Sequence, residues 1–545
     1  MQTRSRLSIL FFITAFVVFS SCSKKTNKEG RYIPKTAGVV FLLNGESMSA
    51  KLPWEEIKQN DLFKSLSADT SLESYIKSTL DNPENTGIDT KKNLLFFVVK
   101  DSLGGYVGFE GTVKDAAKFK AYNAAVSKGA VESDKDGIHF FKTERITSSY
   151  DKEKFVVIID APEMSNTNSF GRSSSKRDAI ATATQVYNLS EDNSLAKDEK
   201  FSNLVSTKSD ILFWVSAHSL MSDNASMAAL SMLNIGKLYE DSYMTGAINF
   251  DNGKINVDVK SYAGKELTDL YKKYGGTTLN TDMIKRIPAK DVVFLLAISY
   301  KPEGLKEFLK ITGMDGFVNM GAAKLGITFD DFTKANKGDV LVSVSDIKKD
   351  SSGRTNVNAL FATAIADKNA FGKLIEAGNK ISAEMLGPDA DKFISYKSDD
   401  KFFAIGTDKP SVEKFVSSAN NSNPGFLDKI SSASSALYLN LPLLMTSLND
   451  QSSKDSLDNI AFETTIKTWE NIIATGGGFK DGASTSHIEF NLMDKNTNSL
   501  KQLNKYIGTI GSIEEQKRLK REKWMNEAMT EPATVDTLSV IPETK

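Results

Sequence analysis

The chain has 545 residues, of which 40% are hydrophobic, and its 68 basic and 69 acidic side chains give a formal net charge of −1. This length and composition predict two or more buried cores. The balanced charge argues against nucleic-acid binding, which usually requires a basic excess. The sequence contains a single cysteine, Cys22, so no disulfide within the chain can stabilise it.

Residues 1–21 have the pattern of an export signal. Two arginines, an apolar run of 13 residues over Leu7–Phe19, and two serines precede Cys22. The run is too short to cross a hydrocarbon layer of roughly 30 Å as a helix, and the pattern is typical of a secretory signal. Residues 19–22 resemble a bacterial lipobox, which implies cleavage before Cys22 and lipidation of that cysteine. The alternatives are a buried free thiol and an uncleaved anchor.

Residues 22–31 are polar and basic, and we predict that they form a flexible tether. Ser23 follows the lipid site where some lipoproteins carry aspartate, and by resemblance to lipoprotein sorting this favours the outer membrane. The lack of acidic residues directly after Cys22 favours the periplasmic face over the cell surface. No other stretch approaches 18 uninterrupted apolar residues, so the lipid is the expected membrane contact.

The rest of the chain repeats one pattern. Ile33-Pro34 leads into the apolar run Val39–Leu43, and Ile287-Pro288 leads into Val292–Leu296 about 253 residues later. Strand-like runs and turn residues then follow each copy in the same order over more than 120 residues. Such ordered recurrence indicates an internal duplication.

A shorter unit also recurs. Ile211–Val215 corresponds to Ala436–Asn440, and each is followed by a helical region and then by a hairpin signal, Asn252-Gly253 or Asp481-Gly482. Hairpins together with segregated helices predict an α+β fold with mainly antiparallel sheets, built from two tandem copies of a long and a short module.

These patterns predict the following domain bounds. They are a signal peptide over 1–21; a tether over 22–31; a first repeat over 32–280, with a long unit at 32–162, a loop at 163–190 and a short unit at 195–275; a second repeat over 281–510, with a long unit at 286–418 and a short unit at 425–508; and a charged helix with a disordered tail over 511–545. Within the last segment, Ser512 and Glu515 predict a capping box at the start of a helix that projects into solvent.

The three histidines give no metal-ligand pattern. His139, His218 and His487 each stand alone in or beside a predicted strand, with no second histidine or cysteine at ligand spacing. Buried or rim positions in a sheet account for all three. A triad assembled only by the fold stays open. The sequence therefore assigns no catalytic, cofactor-binding or metal residue, and no cofactor.

Several short motifs are interpreted as chance matches or as structural features. Ser74–Lys77 and Ser173–Lys176 fit S-x-x-K and Ser222–Asn224 fits S-D-N, but the K-T-G strand that would complete a penicillin-recognising site is missing. Gly476–Gly478 lacks a phosphate-loop motif and predicts a strand or turn. Asp134–Gly137 lacks the spacing of a calcium loop and predicts a turn. The methionine-rich stretch 225–238 predicts a core helix, with a soft ligand groove as the alternative.

The lipobox, the Ile-Pro entry to an apolar strand and the duplicated blocks together resemble a family of uncharacterised Bacteroidetes lipoproteins described as a domain of unknown function. The resemblance supplies no active residues. Our leading hypothesis is a non-catalytic, lipid-anchored envelope protein that binds a ligand or an envelope protein partner between its modules. The alternatives are an envelope hydrolase whose site forms only in the fold, and a structural spacer.

Overall fold

The computed structural model describes residues 30–68, 72–162, 177–221, 234, 236–239, 241–289, 291–349, 355–386, 394–417, 422–448 and 456–530. The predicted signal, the lipidation site Cys22, most of the tether, the loop 163–176, the methionine-rich residues 225–233 and the predicted tail beyond residue 530 lie outside these ranges.

The described chain forms strands that all pair antiparallel with their neighbours. They are β1 (Ala37–Leu43), β2 (Leu94–Val99), β3 (Tyr106–Thr112), β4 (Val131–Lys135), β5 (Ile138–Lys142), β6 (Ile146–Tyr150), β7 (Lys154–Asp160), β8 (Ile211–Ser216), β9 (Tyr243–Asp251), β10 (Lys254–Tyr262), β11 (Val292–Ser299), β12 (Asn336–Lys349), β13 (Thr355–Ile365), β14 (Ser395–Ser398), β15 (Phe402–Gly406), β16 (Ser435–Asn440), β17 (Trp469–Lys480) and β18 (Ala483–Leu492).

Helices cover parts of the sheet. They are α1 (Gly45–Lys51), α2 (Trp54–Ile57), α3 (Asp61–Ala68), α4 (Ser74–Asp81), α5 (Ala116–Val126), α6 (Ala179–Tyr187), α7 (Glu199–Val205), α8 (Ala217–Met221), α9 (Gly236–Tyr239), α10 (Lys265–Tyr274), α11 (Thr281–Lys285), α12 (Pro302–Ile311), α13 (Asp315–Lys324), α14 (Phe329–Ala335), α15 (Lys368–Leu386), α16 (Lys409–Ser417), α17 (Leu427–Ile430), α18 (Leu441–Leu448), α19 (Ser456–Thr468) and α20 (Ser499–Thr530). Within the described ranges, none of them combines the length and the apolar character that crossing a membrane requires.

The strands join into one continuous sheet. From one edge, the order is β4-β5-β6-β7-β3-β2-β1-β8-β9-β10, and it continues as β18-β17-β16-β11-β12-β13-β15-β14. The two runs meet where β10 pairs with β18, from Lys254 opposite Asn491 to Ser261 opposite Ser484. We call this β10–β18 pairing the seam, and the runs on its two sides the first half and the second half.

Each half has a main core on one face of the sheet and a smaller cluster on the other. Ile33 belongs to the main core of the first half and Ile287 to that of the second half, and both are essentially inaccessible to solvent. Alternation along the strands produces the two clusters, because successive side chains point to opposite faces. In β13, Leu360 and Ala362 enter the main core, whereas Ile365 lies in the smaller cluster. The predicted α+β class with antiparallel pairing is confirmed.

The strongest local signals gave the correct elements. The continuous apolar run Leu94–Val99 is strand β2, and Asn252-Gly253 joins β9 to β10 in a two-residue turn. Asp481-Gly482 does the same between β17 and β18, with φ angles of 53° and 76° that suit a tight hairpin. Of the turn predicted at Asp134–Gly137, Asp136-Gly137 joins β4 to β5, whereas Asp134 and Lys135 are the last residues of β4.

The dipeptide Asn44-Gly45, which follows the apolar run Val39–Leu43, predicts a turn from its residue types, and this prediction was wrong. Asn44 is the N-cap of α1, and its side-chain oxygen accepts a hydrogen bond from the Ser47 amide at 3.0 Å. Asparagine favours both turns and helix N-caps, so the residue alone did not distinguish them.

The predicted loop over 163–190 was wrong in its second part. Residues 179–187 form α6, whose N-cap Asp178 accepts from the Ala181 amide, and Ala183 and Val186 are fully buried in the main core. The tether also ends earlier than residue 31, because Gly30 is buried and the Arg31 guanidinium donates to the Leu189 carbonyl.

The prediction of a separate helix beginning near Ser512 was also wrong. One helix, α20, runs from Ser499 to Thr530 without a break, so Ser512 and Glu515 form no capping box. A Cβ at Gly508 would lie 2.5 Å from the Asn60 side chain, and one at Gly511 would lie 2.7 Å from Leu62. The two glycines therefore allow α20 to approach α3 closely rather than ending a helix.

Candidate functional site

The most distinctive apolar cavity lies in the second half, between α15 and the sheet face formed by β12, β13, β15 and β14. Its volume is about 630 Å³, and α14 and the residue after β11 complete its wall. This size is within the usual range for sites that bind small molecules. We call this space the apolar cavity.

One face of α15 lines the apolar cavity. Phe371, Leu374, Ile375, Gly378 and Ile381 follow the three- and four-residue spacing of a single helix face. Near the start of α15 this stripe contacts the sheet, where Phe371, Leu374 and Ile375 pack in the smaller cluster with Phe403. Here Phe371 is buried near one end and Ile381 is 39% exposed near the other, so the stripe runs from a closed end to an open end.

The opposite wall consists of sheet side chains that point away from the main core. Phe361, Phe403, Ile405 and Tyr396 come from three neighbouring strands. The Phe403 ring centroid lies 5.3 Å from that of Phe371 and 6.0 Å from that of Tyr396. The sheet therefore contributes a largely aromatic surface, and Phe361 and Tyr396 remain 38% and 46% exposed.

Among the residues that the structure describes, those that line the apolar cavity include no aspartate, glutamate, lysine, arginine or histidine. Three polar residues of the lining donate hydrogen bonds within the protein. Thr363 Oγ1 donates to the Asp339 carbonyl at 2.8 Å, Asn336 Nδ2 to the Phe332 carbonyl at 2.5 Å, and Asn379 Nδ2 to the Tyr396 hydroxyl at 3.3 Å. The cavity therefore suits a neutral, apolar molecule, since burying a charge there without a partner would cost several kcal/mol.

The corresponding face in the first half is filled by aromatic rings. α5 lies over β3 and β7, where Phe119 stacks on Phe155 with centroids 5.0 Å apart. The Tyr150 ring meets Phe119 edge-on, also at 5.0 Å, and Tyr150 is only 2% exposed. Tyr150 stands opposite Phe155 in the β6–β7 pairing, whereas Ser398 stands opposite Phe403 in the β14–β15 pairing. The residue opposite Phe403 on β14 therefore carries no ring, whereas the residue opposite Phe155 on β6 does.

Ion pairs hold α15 in place over the cavity. Lys373 Nζ lies 2.8 Å from Asp331 on α14, and Lys368 Nζ lies 2.7 Å from Asp400 in the β14–β15 turn. The Lys373 ammonium and the hydroxyl of Thr328 hold the pKa of Asp331 well below its usual value. Both contacts lie at the surface, so they orient the helix more than they stabilise the protein.

Two other cavities lie near the junctions between elements. A cleft of about 420 Å³ is formed by α10 of the first half, α12 of the second half and the Gly477-Gly478 part of β17, and we call it the junction cleft. A groove of about 700 Å³ between α19, α20 and residues 56–61 is lined by charged side chains, among them Lys501 and Glu56, which pair at 2.6 Å. The groove is larger but polar and open, so its charges are already solvated or paired.

The structure separates the three histidines. His139 pairs with Asp134 on the neighbouring strand, and His487 Nδ1 lies 2.8 Å from Asp258 across the seam. His218 lies exposed on α8, beside a hydrogen bond between the Ser216 and Ser219 hydroxyls. None of them is buried, and none lines the apolar cavity. In the described ranges, no three His, Cys, Asp or Glu side chains come together as a set of metal ligands.

The remaining motifs occupy structural positions where they are described. Ser74–Lys77 is the first turn of α4, and Gly476–Gly478 lies within strand β17 at a bulge. Ser173–Lys176, Ser222–Asn224 and most of the methionine-rich stretch lie outside the described residues.

Our reading of the sequence missed the residues of the apolar cavity. The helical spacing from Phe371 to Ile381 was a usable signal, and it predicts one apolar face of α15. It does not predict that the face borders open space, because this depends on which side chains distant strands place opposite the helix.

The fold has weak similarity to solved structures. Crystal forms I and IV of a protein named TP0453 each match with 12% sequence identity and a TM-score of 0.24, over 42% of this chain and 76% of that chain. Crystal form III matches with 12% identity and a TM-score of 0.25, over 43% and 79%. These scores are too low to assign a shared fold. A search of curated proteins found no match.

A family model covers most of the described first half and much of the second, over residues 31–390. This span contains α15 and the β12–β13 wall of the apolar cavity but ends before β14 and β15. The chain belongs to the family described as a domain of unknown function, DUF4836.

Proposed function

We propose that this protein is a non-catalytic binding protein that holds a small hydrophobic molecule, or the hydrocarbon chain of a larger one, in the apolar cavity. One observation carries the proposal, namely a cavity of about 630 Å³ whose lining, over the described part of the chain, contains no acidic, basic or imidazole side chain. Such a lining supplies no general acid, general base or charged nucleophile, so binding fits it better than catalysis.

The energetics favour a hydrocarbon as the occupant. Each methylene group moved from water into an apolar site contributes about 0.8 kcal/mol. The lining side chains are already exposed or face an unfilled space, so a ligand would also supply the dispersion contacts that these rings lack. A charged group placed in the cavity would lose its hydration without gaining a charged partner from the described lining in exchange.

Binding to a fluorescent hydrophobic probe tests this proposal. We would use the chain from residue 23 onward, which keeps all described residues and carries no attached lipid, and would titrate it with N-phenylnaphthylamine, a neutral probe that brightens in apolar surroundings. Gly378 lines the cavity, and an added Cβ there would meet no atom within 4 Å. Gly378→Phe should therefore place a ring in the cavity and weaken binding about tenfold or more, which corresponds to about 1.4 kcal/mol.

Gly372 supplies the matched control. It lies on the same helix, an added Cβ there would also meet no atom within 4 Å, and it does not line the cavity. Gly372→Phe should leave the affinity for the probe unchanged. The proposal fails if the unmodified protein shows no saturable binding, or if Gly378→Phe binds the probe as tightly as Gly372→Phe does.

We further propose that the two halves arose by internal duplication. Read outward from the seam, the strand order pairs β10 with β18, β9 with β17, β8 with β16, β1 with β11, β2 with β12, β3 with β13, β7 with β15 and β6 with β14. The burial of Ile33 and Ile287 in the two main cores supports the same correspondence. The hairpin β4–β5 extends the first half alone among the described strands. An experimental structure in which these strand sets do not superpose would contradict the duplication.

The duplication would explain how one half gained a cavity. After a duplication, one copy can keep the aromatic packing on this face while the other copy diverges. The sequence-based hypothesis placed the ligand between the modules. We instead propose that it lies inside the second half.

We propose that the protein is anchored by a lipid on Cys22 to the periplasmic face of the outer membrane, as in the Bacteroidetes lipoproteins it resembles. The sequence of residues 1–22 supports this localisation. Cys22→Ala should give a protein that carries no lipid and leaves the membrane fraction. Persistence of the variant in the membrane after a carbonate wash would contradict lipid anchoring.

A further inference from the structure

We infer that Tyr300 is the end wall of the apolar cavity and sets the length of the hydrocarbon chain that the cavity accepts. This inference rests on the proposed binding function and adds to it a ligand class, single-chain hydrocarbons with an upper limit on length. Among the described residues, Tyr300 is the one that lines both the apolar cavity and the junction cleft.

The cavity has an open end and a closed end. Ile381 and Tyr396, at the end where Asn379 bonds to Tyr396, are 39% and 46% exposed and mark the open end. Phe332 and Asn336 of the α14 region lie at the other end, and the Tyr300 hydroxyl donates to Asn336 Oδ1 there at 3.4 Å. Along α15, the ten residue steps from Phe371 to Ile381 correspond to a rise of about 15 Å. A hydrocarbon chain that enters the cavity beside Tyr396 therefore reaches Tyr300 at the far end.

The backbone around Tyr300 is fixed on both sides. The Tyr300 amide donates to the Gly338 carbonyl at 3.0 Å, and Thr277 Oγ1 donates to the Ser299 carbonyl at 2.6 Å. Gly338 has a φ of 87°, and a Cβ at this position would lie 1.8 Å from the Tyr300 carbonyl oxygen. These contacts hold the backbone at Tyr300 in place, so we expect the limit on chain length to depend on the Tyr300 side chain.

Space lies beyond that side chain. The junction cleft has a volume of about 420 Å³ and includes Leu267, Leu270, Phe308 and Phe479 in its lining. Removing the phenol ring should join this cleft to the apolar cavity. The joined space would accept a longer chain without any change in the rest of the binding surface.

A series of straight-chain primary alcohols tests the inference, by displacement of N-phenylnaphthylamine from the chain that begins at residue 23. For the unmodified protein, affinity should rise about fourfold with each added methylene and then level off at a cut-off length. In Tyr300→Ala the cut-off should move to chains several carbons longer. In Tyr300→Trp, whose larger ring extends further, it should move to shorter chains.

Two controls isolate the ring of Tyr300. Tyr300→Phe keeps the ring and loses only the hydroxyl, so its cut-off should equal that of the unmodified protein. Phe308→Ala widens the junction cleft and leaves the wall in place, so its cut-off should also be unchanged. A shifted cut-off in either control would overturn the assignment of the ring as the limit.

The possible failures are distinguishable. If the unmodified protein binds neither the probe nor any alcohol, the proposed function is wrong, and the inference fails with it. If it binds alcohols but shows no cut-off, or if Tyr300→Ala and Tyr300→Trp both keep the original cut-off, the binding function stands and the role of Tyr300 is wrong. Should Tyr300→Ala fail to fold, the direction of the shift in Tyr300→Trp decides alone.

Discussion

Lys254 Nζ on β10 lies 2.7 Å from Glu489 Oε1 on β18, so an ion pair crosses the seam between the two halves of the sheet. Lys429 on α17 contacts the other oxygen of the same carboxylate at 2.8 Å. The Glu489 side chain is only 12% exposed. One largely buried carboxylate therefore binds a cation from each half.

Replacing this carboxylate should weaken the protein. Glu489→Gln keeps the size of the side chain but leaves two lysines without their shared partner, and we expect a loss of about 1–3 kcal/mol in the free energy of unfolding at neutral pH. Urea denaturation followed by circular dichroism would measure it. Glu463→Gln is the control, because Glu463 pairs with Lys467 on an exposed helix face, and its loss should be below about 0.5 kcal/mol. Equal losses in the two variants would contradict a special role for the seam.

The same carboxylate predicts how stability changes in acid. Burial alone would raise the pKa of Glu489, but the hydrogen bonds from Lys254 and Lys429 outweigh it and lower the pKa to about 2 from its usual 4.5. A lowered folded-state pKa means that the stabilisation is complete above the unfolded-state value and is lost as the pH falls toward the folded-state value.

We therefore expect this part of the stability to disappear between about pH 4.5 and pH 2. The measurement is the urea midpoint of the unmodified protein and of Glu489→Gln at several values of pH. The difference between the two midpoints should shrink as the pH falls through this window. A difference that stays constant to the acid end would show that the carboxylate is not held ionised by the lysines.

A second buried ion cluster lies in the first half. Arg177, which is 4% exposed, donates two hydrogen bonds to Asp101 at 2.7 and 2.8 Å and one to Asp160 at 2.7 Å. The bonds from Arg177 hold the pKa of Asp101 below its usual value despite partial burial. Arg177→Met should cost about 3–5 kcal/mol, because it leaves the 1% exposed Asp160 without its cationic partner.

The exposed pair of Lys114 and Glu84 is the control for this cluster. Their side chains are 46% and 33% exposed and lie 2.8 Å apart. Lys114→Met should change the free energy of unfolding by less than about 1 kcal/mol. Thermal and urea denaturation of both variants would check the contrast. A loss below about 1 kcal/mol in Arg177→Met would contradict the prediction that Asp160 depends on Arg177 as its cationic partner.

Much of the fold could be predicted because its strongest signals are local. The run Leu94–Val99 has too few polar residues to be anything but a buried element, and Asn252-Gly253 supplies the positive φ that a tight hairpin requires. Asp115 caps α5 as its position before the helix predicts, with its side chain accepting from the Lys118 amide at 3.0 Å.

The errors arise where distant residues decide the outcome. Gly508 and Gly511 look like breaks in the sequence, but Asn60 and Leu62 pack against them in an unbroken helix. The apolar cavity borders Phe403, which stands opposite Ser398 and not opposite an aromatic ring in the β14–β15 pairing, and no local pattern reports the space between a helix and a sheet. The apolar spacing on α15 predicts a face, and only the fold reveals what that face borders.

The lining of the apolar cavity predicts that ligand binding does not depend on pH near neutrality. The lining residues that the structure describes include no imidazole, carboxylate or amine, and burial raises the pKa of the Tyr300 phenol above its usual value, away from the range near pH 7. The acid loss of stability at Glu489 lies below the same range. The dissociation constant for N-phenylnaphthylamine should therefore stay constant from about pH 6 to pH 8 in a fluorescence titration. A sigmoidal change with a midpoint inside this range would place an ionisable group against the ligand, and would show that the probe occupies a site other than the apolar cavity.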